Sequence, residues 1–187
     1  MPHAGVLLAG LLALGASAAP AAAATRSWVG LAGGPSEADE FCDLFAPGIG
    51  CDDDDTGFKA FVGLQLGTHV GIEAFWADLG EVDARNAVGD KLAVSVDGVG
   101  VALLPTVPVS ADFDLYGRFG VYAWDAEADL RIGGARSSGS DDGADPVLGL
   151  GARLRVNEAL AVRFEWEQFG VDDADVSLIS AGAELRF

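Results

Sequence analysis

Basic residues are scarce. Only 11 of the 187 residues are Lys or Arg, against 29 Asp and Glu, for a formal net charge of −18. A chain this acidic cannot neutralise a phosphate backbone, which excludes ordinary nucleic-acid binding. Histidine and cysteine number two each, too few to suggest a metal cluster, a thiol redox centre or a cofactor site, so no catalytic or metal-ligating set is expected. Long apolar runs are lacking beyond the first 24 residues: the best, Val99 to Val109, is eleven residues and contains Pro105 and Pro108, against roughly 18–20 for a helix that crosses a bilayer. Yet half of the residues are apolar, which is incompatible with a fully disordered chain. The length suits one domain of roughly 100–200 residues, and 26 glycines favour β-hairpins over helices.

Residues 6–19 form an apolar core followed by Pro20 and the small-residue run Ala21 to Ala24. This reads as a secretory signal peptide over 1–24, leaving 25–187 as the mature domain. With no helical span in that domain, the open choices are a secreted soluble protein and a β-barrel, because only helices and closed barrels satisfy the backbone inside lipid.

The mature chain alternates with period two. Leu160, Val162, Phe164 and Trp166 share one parity against Arg163, Glu165 and Glu167; Ile179, Ala181, Ala183, Leu185 and Phe187 oppose Ser180, Gly182, Glu184 and Arg186. The same template fits Leu148 to Val156, Phe113 to Tyr122, Phe58 to Leu66 and Val70 to Trp76, whereas 92–104 is strand-like with an ambiguous phase. Eight amphipathic strands follow, at about 27–34, 57–67, 69–79, 91–104, 112–125, 146–156, 159–169 and 176–187. At roughly 9–11 residues per membrane strand, the chain can close an eight-stranded antiparallel up-and-down transmembrane β-barrel.

Connections near 68, 105–111 and 157–158 are short, and those at 35–56, 80–90, 126–145 and 170–175 are mostly long. This asymmetry places the long loops outside the cell and both termini in the periplasm. Of the 29 acidic residues, 21 fall in or beside the long loops, accompanied only by Arg85, Lys91, Arg131 and Arg136.

The motifs GFKAFVGLQLGTHVGIEAFWADLGEV (57–82), FDLYGRFGVYAWDAEADL (113–130) and DPVLGLGARLRVNEALAVRFEWEQFGVDDADVSLISAGAELRF (145–187) resemble the OmpA-like outer-membrane β-barrel family. The resemblance covers most of the mature chain. It implies a transmembrane barrel in the cell outer membrane, in contact with its lipids and lipopolysaccharide, and a terminal signal at Leu185 and Phe187 read by the barrel-assembly machinery. It also matches Glu73 and Arg163 to positions where relatives place interior charges. Many relatives add a periplasmic peptidoglycan-binding domain; this chain stops at the last strand, so anchoring through such a domain is not implied.

An eight-stranded barrel is only wide enough for side chains to fill it. Glu73, Arg118, Arg153, Arg155, Arg163, Glu165 and Glu184 fall on the inward parity and are expected to form a salt-bridged network, since unpaired buried charge is costly. The expected role is a structural plug, with a regulated, porin-like conduction path as the alternative. Cys42 and Cys51 are expected to form a disulfide in an exported protein. Trp28, Trp76 and Trp166 are expected in the interfacial aromatic girdles, with Trp124 on the inward parity.

Asp52 to Asp55 invite a calcium reading, but the EF-hand pattern fails because Gly63 stands where its final Glu is required. Solvated acidic loops are the default; weak divalent-cation binding that bridges them to lipopolysaccharide is the alternative. His69, the histidine left after cleavage, falls in a periplasmic turn, so a nucleophile on the outer face lacks a base. The expected function is therefore non-enzymatic: a monomeric barrel with a structural or surface-interaction role. The competing class is a soluble lipocalin-like barrel, in which the apolar parity would line a ligand cavity.

Overall fold

The computed structural model describes residues 26–38, 41–42, 49–172 and 174–187; the expected leader over 1–24 lies outside them. Among the described residues there are nine strands: β1 (Ser27–Ala38), β2 (Gly50–Asp52), β3 (Asp54–Leu66), β4 (Val70–Arg85), β5 (Lys91–Pro108), β6 (Phe113–Ile132), β7 (Ala135–Arg155), β8 (Leu160–Val171) and β9 (Ala174–Arg186). All but β2 pair antiparallel with their sequence neighbours, and β1 pairs with β9 from Trp28↔Arg186 to Ala38↔Val176, which closes an eight-stranded barrel. The N–H groups of Ser27 and Phe187 each donate to the other's carbonyl, at 2.9 and 3.0 Å, and fasten the seam.

Which parity faces inward decides between the two barrel classes. Leu31, Val62, Val101, Phe119, Leu150, Phe164 and Ile179 are at least half exposed, whereas Lys59, Glu73, Arg118, Arg163 and Glu184 are buried. Aliphatic residues on the outside and charges on the inside invert the soluble pattern, and lipid is the solvent that rewards this arrangement. The lipocalin-like alternative is thereby set aside. The ambiguous phase at 92–104 resolves the same way, with Val99, Val101 and Leu103 outward and Ala102 and Leu104 inward.

At the end opposite the short turns the strands outrun their expected limits. The stretch 126–145, expected as a loop, is paired strand down to Ile132↔Ala135, and the connection is the two residues Gly133 and Gly134, at φ 56° and 87°. Two successive positive φ values suit a tight hairpin whose twist matches its strands. Likewise β4 continues to Arg85 past a bulge between Asp78 and Glu81, and β1, β3, β8 and β9 reach into 35–56 and 170–175. Beyond the lipid no face must be apolar, so the period-two signal fades while the backbone ladder continues.

Interior aromatic residues stand opposite glycines across the strands: Trp28↔Gly63, Phe61↔Gly30, Phe75↔Gly100, Tyr116↔Gly151 and Trp124↔Gly143. A Cβ at Gly63 would lie 2.6 Å from Trp28 Nε1, and one at Gly71 would lie 2.8 Å from its Cη2. Large and small residues thus alternate around the taper. Gly63→Val is expected to displace the Trp28 indole and cost about 1–3 kcal/mol, read as a lower urea midpoint of the lipid-folded barrel; an unchanged midpoint would show that the indole has room elsewhere.

Candidate functional site: an ionic plug and an acidic projecting sheet

The barrel interior is layered. Toward the long-strand end, Phe75, Tyr122 and Phe169 pack with ring centroids 5.0–6.2 Å apart, and Tyr122 Oη donates to the Ala77 carbonyl at 3.0 Å. Beneath them lies the ionic layer. Arg163 donates from Nη1 to Glu73 Oε2 and from Nη2 to Glu165 Oε1, both at 2.6 Å, and from Nε to Tyr116 Oη at 2.9 Å. Arg118 pairs with Glu73 and lies 2.9 Å from Glu167, while Lys59 bridges Glu165 (2.8 Å) and Glu167. Arg153 Nε lies 2.8 Å from Glu184, and Arg163 is also 3.5 Å from Glu184. Four cations (Lys59, Arg118, Arg153, Arg163) face four carboxylates (Glu73, Glu165, Glu167, Glu184), all buried. Such a balance offsets the desolvation of each charge. The guanidinium carbons of Arg163 and Arg118 also stand 4.2 and 5.0 Å from the Phe61 and Phe75 ring centres, adding cation–π attraction where water is excluded.

Six of the seven expected interior charges meet in this network. Arg155 does not: it pairs with Asp114 and donates to the Ala111 carbonyl near the short turns. Sequence reasoning left out Lys59, Glu167 and Asp114, although each shares the inward parity of its strand. Trp28, expected at the membrane interface, requires correction. It is 1% exposed inside the barrel, where Nε1 donates to Glu73 Oε2 at 2.8 Å; the space over Gly63 and Gly71 admits the ring, and the carboxylate satisfies its N–H. Trp76 and Trp166 face outward, 41% and 44% exposed, and Trp76 Nε1 donates to Asp97 at 3.2 Å. Trp124 points inward and donates to Asp145 at 2.8 Å. Leu185 and Phe187 are exposed on the outer surface.

Above the apolar belt, β4 to β7 continue as a sheet to which β2 adds through Gly50↔Arg85 and Asp52↔Asp83. The Cys42–Cys51 disulfide ties β2 to the chain leaving β1. Four aspartates face one another in register, Asp78↔Asp97↔Asp125↔Asp142, an arrangement that like-charge repulsion opposes. Among the described residues no group of three or more His, Cys, Asp or Glu is placed to hold a metal ion. Two basic residues of the sheet are paired: Arg85 lies 2.6 Å from Asp83, and Lys91 lies 3.0 Å from both Glu81 and Asp83, whose carboxylates hold its ammonium above the ordinary lysine value. At the tips, the Gly133 N–H donates to Asp90 Oδ1 at 2.8 Å and the Asn86 amide to Oδ2 at 2.9 Å. These two donors lower the Asp90 pKa.

Two outcomes are expected. Arg163→Met strands Glu73, Glu165 and Glu184 and should destabilise the folded barrel by about 3–5 kcal/mol in urea unfolding, with part of the loss recovered when Glu73→Gln is added. At the hairpin tips, a depressed aspartate pKa means that the Asp90–Gly133 tie is complete above the ordinary aspartate range and is lost as pH falls through the lower folded value. The Gly133 amide resonance should therefore titrate with a midpoint below that of a free aspartate; a midpoint at or above it would contradict the tie.

The geometry invites comparison with known barrels. The family model for the outer membrane protein beta-barrel domain matches residues 6–187. Outer membrane protein A of Yersinia pseudotuberculosis is 31% identical over 144 residues, which cover 72% of this chain and 40% of that protein; the chain thus spans less than half the length of such curated relatives. Among solved structures, Ail, the attachment invasion locus protein of Yersinia pestis, in complex with the heparin analogue sucrose octasulfate, superposes with a TM-score of 0.59 at 15% identity, covering 87% of this chain and 99% of that one. OprG of Pseudomonas aeruginosa gives 0.55 at 15% identity, covering 87% and 95%. The sequence match and the inverted, closed barrel lead to one assignment: the chain belongs to the OmpA-like outer-membrane β-barrel family and resides in the outer membrane.

Proposed function

We propose that this barrel is a surface-interaction protein: a rigid, plugged membrane anchor that presents an acidic β-sheet to cationic partners outside the cell. The observation that carries this reading is the continuation of β4 to β7 beyond the apolar belt. On the outer edge of that sheet β7 pairs with β8 only from Val147 to Arg155, so Ala135–Asp145 pairs on one side alone, with β6. An open strand edge offers backbone donors and acceptors to an added strand. The surrounding carboxylates select the charge of that strand. Ail was solved with a polyanion; the acid-rich sheet of this chain suits the opposite charge.

The remaining parts serve anchoring. Residues 1–24 direct export, Leu185 and Phe187 present the signal for assembly, and the ionic plug leaves no role for solute conduction. The outward Asp78–Asp97–Asp125–Asp142 row meets the headgroup layer, where divalent cations would join it to anionic lipopolysaccharide by screening.

The test uses the full chain in lipid nanodiscs and an extended oligolysine peptide. Saturable binding that weakens with salt and falls about tenfold in Ser138→Pro, which blocks the β7 edge, is expected. Equal binding by both proteins would reduce the interaction to diffuse charge, and no binding would overturn the reading. On intact cells, Ser138→Cys should react with an impermeant maleimide; protection until the membrane is opened would reverse the orientation.

A further inference from the structure

The short-turn end of the barrel carries the opposite charge. A cavity of about 660 Å³ there is lined by Arg26, Arg155 and Arg186, with Gln65, Thr106 and Asp114 among its other walls. Three guanidinium groups face one carboxylate, in a protein whose formal net charge is −18. Asp114 is almost fully buried and gives one oxygen to Arg155. The nearest deeper carboxylate, Glu184, is shared with Arg153 and Arg163 and lies 3.5 Å from Arg186 Nε. Asp112 and Glu158 are exposed in the adjoining turns and are not part of the lining.

Part of the hydrogen-bonding capacity of this end is unused. A guanidinium carries five N–H donors and no acceptor. Arg155 donates from Nη1 to the Ala111 carbonyl and from Nη2 to Asp114, and its buried Nε has no partner. Among the described residues Arg186 makes no side-chain hydrogen bond, and its buried Nε reaches only the shared Glu184, at 3.5 Å. Arg26 is exposed, with no side-chain partner among the described residues. The polar walls are otherwise committed: Thr106 Oγ1 donates to the Leu104 carbonyl at 3.0 Å and Gln65 Nε2 to the Val70 carbonyl at 3.1 Å. Like charges crowded against a low-dielectric wall repel strongly, and planar donor forks match tetrahedral oxyanions better than they match one another.

We propose that this mouth is an anion site that binds a phosphate group through Arg26 and Arg186, with Arg155 held beside them by Asp114. The group comes either from a phospholipid headgroup of the adjoining leaflet or from a free phosphate. The site is independent of the sheet at the other end, and its chemistry does not depend on which end faces outward. Bound phosphate offsets the surplus positive charge, one charge by a headgroup phosphodiester and up to two by hydrogen phosphate, and closes the plug from below.

The full chain folded in dodecyl maltoside micelles, which carry no phosphate, is titrated with inorganic phosphate and, separately, with soluble dihexanoyl phosphatidylglycerol, by calorimetry. Saturable binding of inorganic phosphate that Arg186→Gln weakens by about tenfold supports the site with a free anion as its source. Binding of the lipid alone, weakened in the same way, supports the site with a headgroup as its source. Binding of neither probe, or binding unchanged by the substitution, overturns the proposal. Arg26→Gln, at an exposed position, serves as the second variant where Arg186→Gln fails to show the heat-modifiable mobility of a folded barrel; it should weaken binding severalfold, and no effect there would count against the site.

Discussion

The whole structure depends on neutralising charge where water cannot. Closing eight strands in lipid gives every backbone group a partner, but it also commits one parity of every strand to an interior too narrow for bulk solvent. Once charged residues occupy that parity, they must be paired or the fold fails. Lys59, Arg118, Arg153 and Arg163 against Glu73, Glu165, Glu167 and Glu184 meet that condition, and every member except Arg153 has more than one charged partner: Arg163 touches three carboxylates and a tyrosine hydroxyl. The network spans β3, β4, β6, β7, β8 and β9, so it holds the barrel across its lumen as well as around its wall.

Filling follows from the same constraint. Aromatic rings stand over interior glycines and against guanidinium faces, with Arg153 5.0 Å from the Trp28 ring centre and 5.3 Å from that of Tyr116. Packing of this kind turns a ring of strands into a solid post. What varies along the post is the sign of its ends. Arginines gather at the short turns and aspartates crowd the projecting sheet, so each end offers a surface for the opposite charge. Functional capacity therefore lies at the ends, and the middle supplies rigidity.

Much of this was legible in the sequence where lipid dictates the pattern. Leu160 to Trp166 and Ile179 to Phe187 alternate because one face must be apolar, and the structure places those faces outward as expected. The expectation weakened wherever that demand lapses. Residues 126–145 looked like a loop because their carboxylates and serines obey no alternation, although Gly133-Gly134 carried the hairpin signal. Trp28 looked like a girdle residue because its size and amphipathic ring suit an interface. Its parity relative to Gly63 and Gly71 was the missing clue, since inward glycines mark where interior rings fit. Lys59, Glu167 and Asp114 shared the parity of the recognised charges and needed only to be counted for the balance of four against four to emerge. The anionic-ligand site at the short turns was out of reach, because Arg26, Arg155 and Arg186 come from three distant segments that only barrel closure brings to one mouth.

A filled interior and charged ends make the central claim: this barrel works at its surfaces and carries no current through its centre. Single-channel recording of the full chain in planar bilayers addresses that claim most directly, with heat-modifiable mobility confirming that the inserted protein is folded. The account predicts a silent barrel under applied voltage. Discrete, reproducible conductance steps from the folded protein would contradict it and would make the Arg163–Glu73 pair a gate rather than a plug.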